Sequence, residues 1–222
     1  MNPEEYHQLA TDLQNLAKII PIRWGKIQND TTDSKIKMFQ IHSFTDLENQ
    51  LIALPEETKN YFRRRWFLWK CAQCDEYIFN LNTSVKPNPN SKDQEYDIEF
   101  NESKTLRFDI KGTVIPKNFR NKIDGIIENP SDMVRFFYEN QSKGIRSAIQ
   151  NRLFIVHHSY INQNREMYLR CHWKFKTEVY RKYAEKISEA SNFITFENVK
   201  TDVLFIFENL DKSITYTFCA VK

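Results

Sequence analysis

Two short segments near the middle of the chain carry charged residues in a pattern that could do chemistry. Residues 95–100 and 106–111 both alternate apolar and charged side chains with a period of two. This alternation predicts two β-strands, each with one apolar and one charged face. Asp97 lies on the charged face of the first strand, and Asp109 and Lys111 lie on that of the second.

The register of this predicted hairpin follows from its apolar faces, because a slip of one residue would expose one of these faces to water. The shortest register that keeps both faces in one core pairs Ile98 with Phe108. Asp97 then lies directly opposite Asp109, with the two Cβ atoms about 5 Å apart.

Two opposed carboxylates repel one another unless a cation lies between them. Hard oxygen ligands favour Mg²⁺ (or Mn²⁺), and Mg²⁺ retains water molecules that can act as nucleophiles. Lys111 could orient or help deprotonate such a water and stabilise charge on a phosphate, and Glu99 could serve as a further ligand or base. We therefore predict Asp97, Asp109, Lys111 and Glu99 as catalytic residues, with both aspartates as metal ligands.

These residues resemble the PD-(D/E)XK nuclease superfamily, in which an Asp on one strand precedes an Asp/Glu-x-Lys tripeptide on the next. Asp97 matches the first acidic position and residues 109–111 match the tripeptide, although Tyr96 precedes Asp97 where many members have Pro. The resemblance covers residues 77–158 and implies a restriction-endonuclease-like mixed β-sheet flanked by helices. It also implies cleavage of a nucleic-acid backbone with Mg²⁺.

The tripeptide alone is common, so its position in an amphipathic strand beside a partner strand is what gives it weight. It also occurs at residues 33–35, 57–59 and 102–104. Many members of the family carry a Glu on the helix before the hairpin. Three glutamates remain open for that position, namely Glu56, Glu57 and Glu76.

The surrounding pattern predicts an α/β fold in one nuclease-like domain, residues 1–222, with an N-terminal helical region over 1–54 and an α/β core over 55–222. The predicted helices cover residues 4–20, 45–54 (with Thr45 in a capping box), 55–74, 131–151 and 165–190. The predicted strands cover residues 77–81, 96–100, 106–115, 153–156, 203–207 and 214–221. The apolar run 153–156 is typical of a buried parallel strand, which predicts a strand–helix–strand crossover.

Basic and polar side chains near the hairpin are candidates for phosphate contacts. Lys117 and Arg120 follow the second strand, and Lys143, Arg146 and Gln150 share one face of the helix predicted after it. We predict these five as nucleic-acid contacts, and a solvated helix face is the alternative for Lys143, Arg146 and Gln150.

Two further motifs allow a functional and a structural interpretation. Residues 63–65 are three consecutive arginines in an aromatic-rich helix, which could bind DNA or form a partly solvated helix side. The CxxC spacing of Cys71 and Cys74, with Cys171 and His172, could hold zinc, but burial of the cysteines on a helix is the simpler expectation.

Composition limits the location of the protein. The chain has 222 residues and a net charge of +3, with a mean hydropathy of −0.64. No apolar stretch approaches the roughly 20 residues needed to cross a bilayer, so we expect no membrane partner. The acidic start, residues 1–5, does not resemble an export signal, and four scattered cysteines do not form a disulfide scaffold. We therefore expect a cytoplasmic protein.

The leading hypothesis is a Mg²⁺-dependent endonuclease that hydrolyses DNA phosphodiester bonds, in a restriction or mobile-element context. Cutting both strands of a duplex would favour a homodimer or sequential nicking. The alternative is a non-catalytic nucleic-acid-binding or protein-interaction module that retains the nuclease-like fold. The sequence leaves open the cleavage site and the choice between DNA and RNA.

Overall fold

The computed structural model describes residues 1–20, 31–90, 95–141 and 150–221. The helices in these ranges are α1 (Pro3–Leu16), α2 (Phe44–Leu51), α3 (Glu56–Phe79), α4 (Ile123–Glu128), α5 (Ser131–Gln141), α6 (Arg165–Leu169) and α7 (Trp173–Lys186). The strands are β1 (Val85–Pro87), β2 (Ile98–Phe100), β3 (Arg107–Val114), β4 (Arg152–Ser159), β5 (Ile194–Phe196), β6 (Val199–Glu208) and β7 (Ile214–Phe218). No helix in the described ranges is long and apolar enough to cross a membrane.

The seven strands form one mixed sheet in the order β1-β2-β3-β4-β6-β5, with β7 also paired to β6. Strands β1, β2 and β3 pair antiparallel, whereas β3, β4 and β6 run parallel. Strands β5 and β7 pair antiparallel with successive stretches of β6, at residues 199–201 and 204–208. The predicted mixed α/β fold, with a parallel β4 at its centre, is confirmed.

Helices cover both faces of the sheet and create two apolar cores. Residues of α1, α2, α3 and α7 pack on one face, against Leu153 and Ile155 of β4. Residues of α4 and α5 pack on the other face, against Phe154 and Val156. Because β4 is buried on both sides, its sequence reads as a continuous apolar run.

Helix α3 carries the largest correction to the predicted elements. It begins after Pro55, as expected, but continues to Phe79, so the end predicted at Cys74 and the strand predicted over 77–81 are wrong. Ile78 and Phe79 are fully buried, and Tyr77 stacks on Tyr6 of α1 with ring centroids 4.5 Å apart. Packing on α1 and on the sheet keeps this short apolar run helical.

The other differences are smaller. Ser43, not Thr45, caps α2 by accepting a hydrogen bond from the Asp46 amide at 3.1 Å. Residues 150 and 151 are not helical, contrary to the helix predicted over 131–151, because Asn151 leads into β4 and its carbonyl accepts from the Asp109 amide at 3.0 Å. The helix predicted over 165–190 is divided into α6 and α7.

Candidate active site

The predicted hairpin register is present between β2 and β3, where Ile98 pairs with Phe108. Asp97 lies just before β2, and its amide donates to the Phe108 carbonyl at 2.9 Å. The next free amide along β3, that of Ile110, donates to the Asp97 side chain instead of to a strand backbone, with 2.7 Å between the nitrogen and Oδ2. This charge-assisted hydrogen bond fixes Asp97 against β3.

Asp109 lies on β3 and is almost completely buried, with 1% of its surface exposed. Lys111 donates to its Oδ1 at 2.6 Å, and the Arg152 Nε lies 3.3 Å from its Oδ2. Arg152 begins β4, directly beside Asp109 in the parallel ladder, and its guanidinium lies 4.7 Å from the ring centroid of Tyr138 on α5. Sequence analysis did not predict a site role for Arg152, because its pairing with Asp109 depends on the β3–β4 register.

The two aspartates are close enough to affect each other's ionisation. Burial and the nearby charge of Asp109 raise the pKa of Asp97 to about 6, although Lys111 and the Ile110 amide act in the opposite direction. A hydrogen bond between the two carboxyl groups also raises the pKa of Asp97. Burial and the charge of Asp109 therefore disfavour the ionised form of Asp97.

Glu76 of α3 is the third carboxyl group at this cluster. Burial raises its pKa to about 8, and the charges of Asp97, Asp75 and Asp109 contribute to that increase, while Lys111 opposes it. Of the three glutamates that the sequence left open, Glu76 is the one whose pKa is affected by the charges of Asp97 and Asp109. Glu56 instead pairs with Arg63 at the start of α3, at 2.8 Å.

Extension of α3 past Cys74 explains why Glu76 could not be chosen from the sequence. A strand predicted from Tyr77 would have ended the helix close to Glu76 and left the direction of its side chain unknown. In the structure Glu76 lies within α3, one turn before the end of the helix.

The carboxylates fit a hard divalent cation by their chemistry. Asp97 and Asp109 supply oxygen donors. Burial, together with neighbouring carboxylates, raises the pKa values of Asp97 and Glu76, and a positive charge would favour their ionised forms. Within the described ranges, no group of three or more His, Cys, Asp or Glu side chains has the arrangement of a metal site. The donors are therefore two aspartates with Glu76 nearby, and Mg²⁺ usually completes such a set with water.

Glu99 is brought next to a different partner. It forms an ion pair with Arg107, its cross-strand neighbour, and the Arg107 guanidinium lies 4.6 Å from the ring centroid of Tyr96. The structure thus joins Asp97, Asp109 and Lys111 to one another and pairs Glu99 with a basic residue.

The predicted nucleic-acid contacts lie in varied environments. Lys117 is exposed, whereas Arg120 makes a bidentate ion pair with Glu166, with both N–O distances 2.7 Å. Gln150 precedes β4, and its carbonyl accepts from the Tyr138 hydroxyl at 2.8 Å. Lys143 and Arg146 lie outside the described residues.

A cleft of about 570 Å³ opens beside Lys111. It follows residues 110–114 of β3 and is walled by α3. In the described part of the chain, β2 pairs with β3 only at residues 107 and 108, so the β3 edge that faces away from β4 is open to the cleft. Lys111 lies where the carboxylate cluster meets this cleft.

The three arginines of α3 have separate environments. Arg63 pairs with Glu48, Arg65 pairs with Asp33, and Arg64 lines the cleft and is buried. The triplet is therefore not one solvated basic surface. Its middle member faces the interior.

Cys71, Cys74 and Cys171 are buried close together between α3 and the start of α7. Burial raises the pKa of both Cys74 and Cys171, which opposes the thiolate form that zinc requires. Within the described ranges, these thiols do not belong to any group of three or more His, Cys, Asp or Glu side chains that could hold a metal ion. The cysteines match the simpler expectation of apolar packing.

The comparisons with known proteins add no family to this geometry. Searches against protein-family models, against curated proteins and against solved structures each gave no match. The candidate site therefore stands on its own residues: Asp97, the buried Asp109 with its partner Arg152, and Lys111, which lines the cleft.

Proposed function

We propose that the protein is a Mg²⁺-dependent nuclease of the PD-(D/E)XK type that hydrolyses DNA phosphodiester bonds. The observation that supports this proposal is the contact of the buried Asp109 with both Asp97 and Lys111, where Lys111 also lines the cleft. Clustered carboxyl groups with raised pKa values in a cleft are a mark of functional sites. A cytoplasmic location and DNA as the partner belong to the same proposal, as does a restriction or mobile-element context.

In this mechanism Asp97 and Asp109 would hold Mg²⁺ (or Mn²⁺), with Glu76 as the next carboxylate in reach. A bound ion of this kind supplies positive charge for the phosphate and a more acidic water as nucleophile. The Ile110 amide fixes the orientation of Asp97, and Arg152 does the same for Asp109. Lys111, 34% exposed, can leave Asp109 to orient the water and stabilise charge that develops on the phosphate oxygens.

A non-catalytic binding module is the second candidate, and one observation favours it. Asp109 is contacted by two cations, Lys111 and Arg152, which would neutralise its charge without a metal. Such a protein would bind nucleic acid through its cleft and leave the backbone intact. Metal-dependent cleavage separates the two candidates.

The test is incubation of purified protein with supercoiled plasmid and with linear and branched DNA and RNA, in Mg²⁺, Mn²⁺ or EDTA. Asp109→Asn and Lys111→Ala are compared with two exposed controls, Asp211→Asn and Lys86→Ala. Thermal unfolding of each variant shows whether a loss of activity reflects misfolding. Cutting both plasmid strands at once would further favour a homodimer, and accumulation of nicked circles would favour sequential nicking.

We expect metal-dependent cleavage that disappears in Asp109→Asn and falls by roughly 10²–10³-fold in Lys111→Ala. Both controls should cleave as the parent does. DNA binding by Asp109→Asn should be preserved or strengthened, because Lys111, which lines the cleft, loses its anionic partner. Cleavage retained by folded Asp109→Asn would refute the proposed site, and binding without cleavage on every substrate would favour the second candidate.

A further inference from the structure

One exposed aromatic side chain, Phe39, lies at the rim of the cleft. It belongs to the 3₁₀ turn Met38–Gln40, between α1 and α2, and 60% of its surface is exposed. A single exposed apolar residue is common on a protein surface, so its setting decides what it means. Among the described residues that combine a large apolar side chain with high exposure, Phe39 alone lines the cleft, as Lys111 does.

Two residues of α3 hold the Phe39 ring in place. Its centroid lies 5.2 Å from that of Trp69, with the two rings nearly perpendicular, and the Arg65 guanidinium lies 5.6 Å from it. Arg65 is itself fixed by an ion pair with Asp33. The ring is therefore fixed in orientation without being buried. Such a platform loses little conformational freedom when a second flat group stacks on it.

Open space adjoins the Phe39 ring in more than one direction. The ring lines the cleft of about 570 Å³. It also lines a cavity of about 410 Å³ together with Trp69 and His42. A third cavity, of about 540 Å³, is lined by Phe39, Lys37 and Arg65. A planar ligand can thus reach the ring from the cleft and from the adjoining cavities.

Cations precede Phe39 in the same segment. Lys35 and Lys37 are both exposed, and Lys37 lines the third cavity. Lys111, 34% exposed, lines the cleft. A ligand that contacts these lysines and Phe39 must carry both anions and flat apolar groups along its length. A nucleic-acid strand has this composition, because its phosphates alternate with bases.

We propose that Phe39, held by Trp69, is a stacking platform for an unpaired base of the nucleic-acid strand that enters the cleft. In a duplex the neighbouring bases cover both faces of an internal base, so a base must be unpaired or turned out of the stack to reach Phe39. The inference rests on the proposed function and names its substrate class, single-stranded or locally unpaired nucleic acid. Lys35 and Lys37 would contact phosphates that flank the stacked base.

The experiment uses the full chain in EDTA, where metal-dependent cleavage is absent, and measures binding by fluorescence anisotropy over a range of salt. The fluorescein-labelled probes are a single-stranded DNA oligonucleotide, an abasic oligonucleotide of the same length and a blunt duplex. Phe39→Ala, Phe39→Leu and Phe39→Trp are compared with Tyr160→Ala, which removes an exposed aromatic ring outside the cleft. Lys37→Ala removes one exposed charge beside Phe39. Thermal unfolding shows that each variant is folded.

We expect Phe39→Ala to weaken binding of the single strand by about tenfold at every salt concentration, and Phe39→Trp to retain it. The salt slope should stay unchanged in Phe39→Ala and fall by about one in Lys37→Ala, because stacking releases no counterions whereas a phosphate contact does. Phe39→Ala should bind the abasic strand and the duplex as the parent does. Tyr160→Ala should match the parent on every probe.

Equal binding of the single strand by the parent and Phe39→Ala would overturn the platform, as would a parent that binds none of the probes. An equal loss on the abasic strand would overturn base stacking, because no base is present there. Full binding by Phe39→Leu would also overturn stacking, since an aliphatic side chain offers apolar surface without a flat ring, and it would favour an apolar peptide as the ligand. A matching loss on the duplex would overturn the assignment to unpaired bases.

The two proposals fail in different ways. Phe39-dependent binding in a protein that cleaves no substrate with any metal would remove the nuclease and retain the platform. Metal-dependent cleavage of single strands with an unchanged KM in Phe39→Ala would retain the nuclease and overturn the platform.

Discussion

The two ends of the parallel strands use acidic residues in opposite ways. At the carboxyl end of β4 and β6, Glu166 and Glu208 are each matched with basic or hydroxyl groups. Burial alone would raise the pKa of Glu166, but hydrogen bonds from His158 and Arg120 lower it. The ion pair with Arg165 likewise lowers the pKa of Glu208.

At the amino end, Asp97 and Glu76 lie among other carboxyl groups, and their pKa values are raised to about 6 and about 8. Open α/β sheets usually bind ligands outside the carboxyl ends of their strands. Here that end is closed by ion pairs, and the acids with raised pKa values lie at the other end. The direction of the pKa shifts thus distinguishes the candidate site from the carboxyl-end network, which is made of the same residue types.

The largest effect on stability is expected from Arg120→Met at the carboxyl end. This change leaves Glu166, with 4% of its side chain exposed, paired only with His158, and it should cost about 3–5 kcal/mol in the free energy of unfolding. Urea denaturation measures this loss. The exposed control Arg181→Met should cost about 0–1 kcal/mol. An unchanged stability with weakened DNA binding would instead assign Arg120 to the nucleic-acid surface.

Glu76→Gln, at the amino end, should increase the free energy of unfolding instead of decreasing it. The folded protein keeps the Glu76 proton up to about pH 8, whereas the unfolded chain releases it at the ordinary value of a glutamate. Ionisation of Glu76 therefore costs stability progressively as pH rises through this window, and the full cost is present above pH 8. We expect Glu76→Gln to gain roughly 1–3 kcal/mol at pH 9 and nothing at pH 4.

Urea denaturation in EDTA at both pH values tests this prediction. Glu178→Gln is the matched control, because Glu178 lies exposed on α7 and accepts from Lys182 at 2.6 Å. The control should show no gain at pH 9. A gain that is equal at pH 4 and pH 9 would mean that the pKa of Glu76 is not raised in the folded protein.

The smallest effect is expected from Ser159→Ala, which removes the one hydrogen bond that this hydroxyl donates to Glu208 and two longer ones that it accepts, at 3.3 Å, from the Ile161 and Asn162 amides. The Ser159 hydroxyl donates to Glu208 at 2.7 Å, and its loss should cost about 1 kcal/mol. Denaturant midpoints for this variant and for the exposed control Ser34→Ala measure the difference. Ser159→Ala should leave metal-dependent cleavage unchanged. A large loss of cleavage would contradict the proposed site, because it would place the active site at the carboxyl end of the parallel strands.

Local pattern was enough to predict the hairpin and the centre of the sheet. The pairing of Ile98 with Phe108 follows from alternation, and the parallel strand over 153–156 follows from a continuous apolar run. Both signals are patterns of apolar residues within a short segment, so they can be read directly from the sequence.

The rest of the candidate site depends on contacts between distant segments. The short apolar run 77–79 fits a helix or a strand, and only packing on Tyr6 and on the sheet keeps it in α3, where it sets the position of Glu76. Arg152 reaches Asp109 through the β3–β4 register. Arg64 and Arg170 line the same cleft although they are more than 100 residues apart in sequence, so no local pattern could predict it.

The open edge of β3 also has a consequence for aggregation. A strand edge with unpaired backbone groups is a template for strands of other molecules. Here the edge lies at the floor of a cleft, between the wall of α3 and the charged side chains of Lys111 and Arg170. A neighbouring strand would have to bury those charges in order to pair. The same cations that face the cleft should therefore keep the protein from polymerising through its central sheet.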